Sequence, residues 1–301
     1  SKSIRRSFWP RFPMTSKPLL TCEALLSNAV RRIAGDTARL DAELLLAQVT
    51  GLSRSGFRAF PEREVEARLA AEFEDVVTQR AQGMPVAYLL GHQEFWSLPF
   101  KVSSSTLIPR PDTECLVEQA LELPLPDNAR VVDLGTGTGA IALALASERP
   151  SWMISACDLM EDAVALAQAN ASKLKLPVEV FQSRWFAGLP AGSFDLIVSN
   201  PPYVASGDHH LDEGDVRFEP ASALVSGADG LDDIRLIVSE APAWLNAEGW
   251  LLLEHGFDQA EAVQGLLTAR GFAKVESRKD YGGNDRMTLG QWPRKGALHA
   301  Q

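Results

Sequence analysis

The stretch that decides the fold is Val131-Val132-Asp133-Leu134-Gly135-Thr136-Gly137-Thr138-Gly139. A short run of strand-forming residues leads directly into three alternating glycines, and the apolar residues 140–148 that follow favour a helix. Glycine adopts backbone conformations that other residues avoid, so this loop can turn sharply and lets a ligand lie against bare backbone. The stretch therefore predicts a β-strand, a binding loop and the start of an α-helix.

An acidic residue follows this loop at the spacing of a nucleoside-binding site. Asp158 stands about 20 residues after the last glycine, at the end of the next predicted strand, where a carboxylate can accept hydrogen bonds from ribose hydroxyls. A purely structural turn would need the glycines but not the acid. The pattern Gly135-x-Gly137-x-Gly139 also differs from the Gly-x-Gly-x-x-Gly of dinucleotide-binding loops. S-adenosylmethionine has no pyrophosphate that needs the later glycine, so we predict this cofactor, with NAD as the competing interpretation.

Downstream of residue 112 the predicted strands and helices alternate. The strands are expected at 130–134, 153–157, 178–182, 194–199, 250–254, 274–277 and 286–289, and the helices at 113–123, 140–148, 161–173, 234–245 and 260–270. This alternation predicts an α/β fold with a mostly parallel, seven-stranded sheet that helices cover on both faces. In such folds ligands bind beyond the carboxyl ends of the strands, and the glycine loop falls there.

The first third of the chain has a different character. Residues 19–82 show helical spacing and no strand signal, with one helix expected at 64–82. In the next segment, Phe95-Trp96 and Phe100-Lys101-Val102 are expected to pair across a Ser97-Leu98-Pro99 turn. We predict a disordered extension (1–17), a small helical bundle domain (18–84), a β-hairpin linker (85–111), the α/β domain (112–292) and a flexible tail (293–301). The basic residues 1–13 share the composition of an organelle transit peptide, but they are short and lack an amphipathic helix.

Composition excludes several classes of function. Acidic residues outnumber Lys and Arg by 39 to 29, and the net charge of −10 argues against broad binding to phosphate backbones. The three cysteines are far apart in sequence, which argues against a zinc or disulfide framework and fits a cytoplasmic protein. No apolar run reaches the length of a membrane span. We therefore expect no membrane contact and no stable complex with nucleic acid.

Two polar segments resemble metal sites only superficially. His209-His210 is predicted as a loop pair without further plausible ligands nearby, and residues 229–233 carry three acids without the spacing of a calcium loop. We expect no bound metal at either segment.

A second motif leaves the end of a buried strand. Asn200-Pro201-Pro202-Tyr203 follows the expected strand at 194–199, and its two prolines could simply end that strand. The alternative interpretation gives each residue a task. The Asn200 side-chain carbonyl and the Pro201 backbone carbonyl can accept both hydrogens of an NH₂ group. Pro202 would stiffen the loop and Tyr203 would stack on the planar group that carries the nitrogen. We therefore predict methylation of a planar amide or amine nitrogen here.

The chain resembles the release-factor glutamine methyltransferases, the HemK/PrmC family, over residues 20–290. The matching stretches are Arg39-Leu40-Asp41-Ala42-Glu43, Glu94-Phe95-Trp96, Leu107-Ile108-Pro109-Arg110-Pro111-Asp112-Thr113-Glu114, the glycine loop, the Asn-Pro-Pro-Tyr tetrad (200–203), Arg217-Phe218-Glu219-Pro220 and Asp280-Tyr281-Gly282-Gly283-Asn284-Asp285-Arg286. The resemblance implies a Rossmann-like class I methyltransferase domain at 112–292. It also implies methyl transfer to the glutamine amide in the Gly-Gly-Gln motif of class 1 peptide release factors, and substrate recognition by the helical domain.

The resemblance also implies a set of site residues. The cofactor would contact Gly135, Thr136, Gly137, Thr138, Gly139, Asp158, Trp185 and Asn200, and the substrate glutamine would contact Asn200, Pro201, Pro202 and Tyr203. Catalysis would fall to Asn200, Pro201 and Tyr203. Without the resemblance, Trp185 would be read as a core aromatic. From the residues alone, Phe218-Glu219-Pro220 would be interpreted as a loop anchor. The resemblance gives a structural role beside the pocket equal weight.

Three rival functions remain open. A ribosomal-protein glutamine methyltransferase would share the same pocket, but Ile108-Pro109-Arg110-Pro111 favours the release-factor branch, because the sister group tends to place serine after the arginine. A DNA or RNA amino-methyltransferase would present a flipped base with a planar NH₂, against which the net charge counts. A non-catalytic nucleoside-binding module would not need the intact tetrad.

Overall fold

The computed structural model describes residues 20–294. The predicted extension at 1–17 lies outside the described residues, and so do residues 295–301 of the predicted tail. The chain divides into two compact units, the first ending at Leu89 and the second beginning at Leu90. No helix among residues 20–294 combines the length and the apolar character that a membrane span needs.

The first unit is helical. Its helices are α1 (Cys22–Arg32), α2 (Ala38–Thr50), α3 (Arg54–Ala59) and α4 (Ala67–Ala81), and the short α5 (Val86–Leu90) crosses the boundary between the units. Helices α1, α2 and α4 pack against one another around Leu26, Leu46 and Phe73, which are fully buried. The helix expected at 64–82 begins three residues later, because Glu64 pairs with Thr21 in an isolated β-bridge.

Two buried acids of α2 are satisfied inside this unit. Asp41 accepts a hydrogen bond from Arg80 at 3.0 Å, and Glu43 pairs with Arg39 and Arg54 at 3.1 and 3.0 Å. A buried carboxylate requires such partners, because its desolvation is otherwise uncompensated.

The second unit begins with a hairpin of β1 (His92–Phe95) and β2 (Leu98–Lys101). The predicted Ser97-Leu98-Pro99 turn is wrong, because Leu98 and Pro99 belong to β2 and face Phe95 and Glu94. The turn is the pair Trp96-Ser97, with φ of 53° and 58°. Two central residues with positive φ match the twist of a two-residue hairpin. Pro99 fits because β2 pairs only with β1 among the described strands, and edge strands tolerate proline.

The remaining elements alternate and build one sheet. The strands are β3 (Arg130–Leu134), β4 (Met153–Asp158), β5 (Glu179–Gln182), β6 (Phe194–Ser199), β7 (Leu245–Glu254), β8 (Ala273–Lys279) and β9 (Asp285–Gln291), and the helices are α6 (Glu114–Glu122), α7 (Ala140–Glu148), α8 (Glu161–Leu174), α9 (Asp232–Glu240) and α10 (Ala260–Arg270). The strand order is β5-β4-β3-β6-β7-β9-β8, with β9 antiparallel to both neighbours and the other pairings parallel. The predicted mostly parallel, seven-stranded sheet is confirmed.

Alternate residues of the central strands belong to two hydrophobic cores, one on each face of the sheet. Val131, Leu196 and Leu252 lie in a cluster with the hairpin and α6–α7, whereas Val132 and Ile197 lie in a cluster with α9–α10. Side chains alternate across a strand, so these apolar runs are buried on both faces. The sheet is therefore a middle layer whose polar groups emerge at the strand ends.

Two predicted boundaries differ from the structure by five residues. The predicted helix at 234–245 ends at Glu240 and continues only as the 3₁₀ turn Ala241–Trp244, because Pro242 cannot donate within a helix. Strand β7 then begins at Leu245, five residues earlier than expected. Pro111 is the first residue of the 3₁₀ turn Pro111–Thr113. At that position a backbone N–H would have no partner within the turn, so its absence in proline costs nothing.

Candidate active site

A cavity of about 320 Å³ opens at the carboxyl ends of β3, β4 and β6. It lies within the second unit, where open α/β sheets bind ligands. Its lining includes most of the sequence-predicted site, namely Gly135, Thr136, Gly137, Thr138, Asp158, Trp185, Asn200 and Pro202. It also includes Thr106, Arg110, Thr113 and Asp233, which the sequence analysis did not single out individually.

The glycine loop needs its glycines for conformation. Gly135, Gly137 and Gly139 have φ of 67°, 55° and 86°, in the left-handed region that other residues rarely adopt. A Cβ at Gly137 would meet only Thr106, at 3.9 Å, so the loop keeps open space on its cavity side. Gly139 instead packs close to Leu143 and does not line the cavity. It begins helix α7.

Asp133 lies at the base of this loop. It is fully buried, and one carboxylate oxygen accepts a hydrogen bond from the Thr136 hydroxyl at 2.7 Å. Its other oxygen, Oδ1, has no hydrogen-bond partner among the described residues. Burial raises the pKa of Asp133 to about 7, with the Thr136 hydroxyl acting in the opposite direction. Asp133 lies outside the lining of the cavity, so its hydrogen bond with Thr136 supports the base of the glycine loop.

Asp158 ends β4 and is held by backbone groups. Its Oδ2 accepts from Gly137 N and its Oδ1 accepts from Met160 N, both at 3.0 Å. Each carboxylate oxygen has a second lone pair, so both can accept another hydrogen bond. The side chain is thus oriented at the cavity wall with acceptor capacity remaining.

Trp185, which also lines the cavity, takes an unusual backbone conformation. Its φ is 52°, which costs free energy for a bulky residue. Its carbonyl accepts hydrogen bonds from the Ser183 hydroxyl at 2.7 Å and the Cys157 thiol at 3.4 Å, which hold this conformation. The Trp185 ring lies 3.2 Å from the place where a Cβ of Gly135 would stand. The indole and the glycine loop therefore pack against each other beside the cavity.

The tetrad residues differ in their surroundings. Asn200 and Pro202 line the cavity, whereas Pro201 is buried and Tyr203 lies outside the lining. Within residues 20–294 no group hydrogen-bonds the Asn200 side-chain amide. Tyr203 packs partly against the α9–α10 core and donates its hydroxyl to Glu254 Oε2 at 3.2 Å. Asn200 is therefore the uncommitted polar group, and the stacking role of Tyr203 stays a prediction.

An ion pair between a half-exposed arginine and a buried glutamate joins two segments beside the cavity. Arg110, from the predicted linker, donates to both carboxylate oxygens of Glu219 in the loop after β6. Burial raises the pKa of Glu219, while the Arg110 guanidinium acts in the opposite direction. The loop after β6 also contributes Ser222 and Ala223 to the lining.

Two families match the chain in separate segments. The family described as the methyltransferase small domain matches residues 111–227, and that described as the PrmC N-terminal domain matches residues 23–91. The release factor glutamine methyltransferase of Pseudomonas aeruginosa is 60% identical over 257 residues, which cover 85% of this chain and 93% of that protein. The Escherichia coli protein of the same name is 50% identical over 269 residues, with coverage of 89% and 97%. The chain belongs to the release factor glutamine methyltransferase family.

A solved structure agrees with this fold. The crystal structure of a methyltransferase from Pyrococcus furiosus covers 73% of this chain and all of that chain, with a TM-score of 0.52 and 16% identity. At that identity the likeness concerns the fold alone. The predicted family and the predicted class I methyltransferase fold are both confirmed.

Sequence reasoning missed several polar residues of this release factor glutamine methyltransferase family member. Asn170 of α8 is fully buried and donates to Lys101 O and Thr138 O, so it ties the hairpin to the glycine loop. Glu254 at the end of β7 accepts from Thr113 and Tyr203. An acid directly after the apolar run 250–253 was a usable signal for Glu254, whereas an asparagine within a helix carries none.

The two polar segments that resembled metal sites have local partners. His209-His210 does have a further ligand type nearby, which corrects the expectation, since Asp208 Oδ1 lies 2.7 Å from His210 Nδ1 and 3.9 Å from His209 Nδ1. All three side chains lie on the loop after β6 and outside the lining of the cavity. Asp229 forms an ion pair with Arg235 on the surface.

Proposed function

We propose that this chain transfers a methyl group from S-adenosylmethionine to the side-chain amide nitrogen of the glutamine in the Gly-Gly-Gln motif of class 1 release factors. The observation that carries the proposal is the uncommitted Asn200 amide at the wall of a cavity that the glycine loop also lines. The names of the relatives at 50–60% identity support the release factor as substrate. The reaction would take place in the cytoplasm, where release factors act.

The cavity residues fit S-adenosylmethionine. The open side of Gly137 leaves room for a ligand against the backbone. Asp158 retains acceptor capacity for ribose hydroxyls, and the Trp185 ring offers an apolar plate for a base. We assign cofactor binding to these residues together with Gly135, Thr136 and Thr138, whereas Gly139 lies outside the lining and supports the loop where helix α7 begins. When bound, S-adenosylmethionine supplies an electrophilic methyl group.

The tetrad addresses the poor reactivity of an amide. An amide nitrogen shares its lone pair with the carbonyl group and is a weak nucleophile. Asn200 Oδ1 and the Pro201 carbonyl would each accept one hydrogen of the NH₂ group, which fixes the plane of the amide and favours positive charge developing on nitrogen. Alignment of the reacting atoms in a water-poor cavity can supply about 7–11 kcal/mol of the barrier reduction. No strong base is needed beforehand, because the N–H becomes acidic only as the new bond forms.

The helical unit is assigned to recognition of the protein substrate. This assignment covers the predicted domain at 18–84, with the methyltransferase domain at 112–292. A substrate as large as a release factor needs more surface than the cavity provides, since stable protein interfaces bury on the order of 1,600 Å².

Incorporation of label from S-adenosylmethionine tests the substrate. Purified protein is incubated with labelled cofactor and, separately, with a class 1 release factor, the same factor with the Gly-Gly-Gln glutamine replaced by alanine, a ribosomal protein fraction, DNA and RNA. Label is expected only in the unaltered release factor. Label in the ribosomal fraction alone would favour the sister glutamine methyltransferase function, and label in nucleic acid alone would refute glutamine as the acceptor.

A further inference from the structure

A buried carboxylate lies behind the tetrad, and it has no role in the methyl transfer proposed above. Glu254 ends β7 and is only 2% exposed. Strand β7 pairs with β6 in the register Ser199↔Leu253, so Glu254 stands beside the point where the tetrad leaves β6. An ionised carboxylate loses favourable hydration on burial, and an apolar side chain usually serves packing better. The burial of Glu254 beside the tetrad therefore indicates a functional role in the site.

Both oxygens of the Glu254 carboxylate are engaged. The Thr113 hydroxyl donates to Oε1 at 2.9 Å, and the Tyr203 hydroxyl donates to Oε2 at 3.2 Å. Hydrogen bonds from hydroxyls to a carboxylate are stronger than those between neutral groups. Glu254 therefore fixes the outer end of the Tyr203 side chain from inside the protein.

The main chain of Tyr203 is held as well. Its carbonyl accepts a hydrogen bond from Gln259 Nε2 at 3.0 Å. Gly230 approaches so closely that a Cβ there would lie 2.3 Å from the same oxygen. The next residue, Val204, exchanges backbone hydrogen bonds with the loop that follows. The backbone is restrained at these points, and the hydrogen bond with Glu254 restrains the outer end of the aromatic side chain.

Two arginines face Glu254, and each has a carboxylate partner of its own. Arg286 pairs with Asp280 and Arg110 pairs with Glu219, both at 3.0 Å. Burial raises the pKa of Glu254 to about 7, although both guanidiniums act in the opposite direction. Three carboxylates thus share two guanidiniums. Within residues 20–294 Glu254 forms no ion pair, so it depends on its two hydroxyl donors.

From these contacts we propose that Glu254 is a positioning residue for methyl transfer, which acts through Tyr203 to set the geometry of the tetrad at the cavity wall. The inference rests on the proposed function, because it gives Glu254 a part in placing the glutamine amide that Asn200 accepts. Glu254 does not line the cavity. Its replacement therefore changes kcat and KM for the release factor and leaves the affinity for S-adenosylmethionine unaltered.

Three variants of the full chain test this role: Tyr203→Phe, Glu254→Gln and the double variant. Each single variant is expected to lower kcat/KM for the release factor by about tenfold, the effect of one lost buried hydrogen bond. The Kd for S-adenosylmethionine, measured by calorimetry, is expected to stay within about twofold of wild type, because Tyr203 and Glu254 lie outside the cavity lining and glutamine keeps an oxygen acceptor for the Thr113 hydroxyl. The double variant is expected to match Tyr203→Phe, since that variant already lacks the hydroxyl through which Glu254 acts.

Matched controls come from polar contacts away from the cavity. Tyr281 donates to Glu118, and Glu276 pairs with Arg278, in both cases through partly or largely exposed side chains. Tyr281→Phe and Glu276→Gln are expected to keep wild-type kcat/KM. Thermal unfolding of every variant shows that the kinetic constants refer to folded protein.

Two results would overturn the role proposed for Glu254, and a third would also refute the proposed function. Defects that multiply in the double variant would show that Glu254 acts independently of Tyr203. A Glu254→Gln variant that loses only thermal stability, with wild-type kcat/KM, would reduce Glu254 to a structural residue. Either result overturns the inference while the proposed function stands. A wild-type protein that transfers no methyl group to the release factor would refute the proposed function, and the inference with it.

Discussion

Arg110 donates through one nitrogen to both carboxylate oxygens of Glu219, at 3.0 and 3.1 Å, although the two residues are 109 positions apart in sequence. Arg110 precedes α6 and Glu219 lies in the loop after β6, so one ion pair connects two segments around the cavity. The Glu219 side chain is 5% exposed. Its charge therefore depends on this partner.

Removal of the arginine should expose that dependence. Arg110→Met removes the partner of the buried Glu219 carboxylate and is expected to lower the free energy of unfolding by about 1–3 kcal/mol, less than for a fully buried pair because the guanidinium is partly exposed. Urea denaturation followed by circular dichroism measures the change. Glu219→Gln in the same background removes the buried charge and is expected to recover part of the loss. A single variant as stable as wild type would show that water or another cation already serves Glu219.

Replacement of Asn200 should separate chemistry from cofactor binding. Asn200→Ala removes one of the two proposed amide acceptors and is expected to lower kcat by about a hundredfold or more, as loss of a preorganised transition-state contact does. Cofactor affinity, measured by calorimetry, should change little. Asn246→Ala is the matched control, because Asn246 bonds Asp195 near the opposite ends of the strands. Wild-type turnover by Asn200→Ala would contradict the acceptor role.

Asp158 should contribute mainly to cofactor affinity. Asp158→Asn retains one acceptor oxygen for the backbone donors of Gly137 and Met160 but removes the charge and one acceptor. The Kd for S-adenosylmethionine is expected to rise by about tenfold, with most of kcat restored at saturating cofactor. Calorimetry and initial rates together check this. An unchanged Kd would mean that Asp158 does not bind the ribose.

Gly230 should control the tetrad through the backbone. Gly230→Ala would place a Cβ 2.3 Å from the Tyr203 carbonyl oxygen, at a φ of 77°, so the loop must shift. We expect kcat/KM to fall by at least about tenfold and stability by about 1–3 kcal/mol.

Gly214 offers a matched control. It also has positive φ, at 52°, but a Cβ there would meet nothing within 4 Å. Gly214→Ala should lose only the conformational part, about 1 kcal/mol, with activity kept. Equal effects at the two glycines would show that strain alone, and not the contact with Tyr203, is responsible.

Stability should fall with rising pH through Glu254. Burial raises its pKa in the folded chain to about 7, from an ordinary value of 4.5. Between these values the folded chain keeps a proton that the unfolded chain has released. Folding is therefore favoured at the acid end of this window, and the free energy of unfolding declines towards neutral pH. Glu254→Gln cannot ionise and is expected to reduce that decline.

Urea unfolding at about pH 5 and about pH 8 measures how far the free energy of unfolding falls across most of the range between the two pKa values. Burial also raises the pKa of Asp133 to about 7, so wild type and variant share that contribution and their difference isolates Glu254. Parallel curves for the two proteins would contradict a raised pKa for Glu254.

Local patterns were sufficient for the central sheet and the conformation of the glycine loop. The strands 130–134 and 194–199 and the glycine loop were predicted where the structure has them, because an apolar run buried on both faces and a left-handed turn each leave a direct signature in sequence. Asp158 was predictable for the same reason, since its position depends on one βα unit.

Contacts between distant segments were not predictable. The Thr113–Glu254–Tyr203 group joins residues 51 to 141 positions apart, and no local pattern marks such a partnership. The prediction of the hairpin turn was wrong for another reason. Pro99 is a frequent turn residue, yet the twist of the two strands is matched by positive φ at Trp96 and Ser97, residues that rarely adopt it. Side-chain packing outweighed local preference there.

The strand order has a consequence for how the molecule assembles during synthesis. Strand β9 follows β8 in the chain but is inserted between β7 and β8, so the edge of β7 has no neighbour until residues 285–291 have emerged. Such non-local pairing is slow, and an unpaired edge invites association with other chains. The strand that ends in Glu254 is therefore the last of the central strands to be paired on both edges, and this pairing cannot be completed before residue 291 has been synthesised.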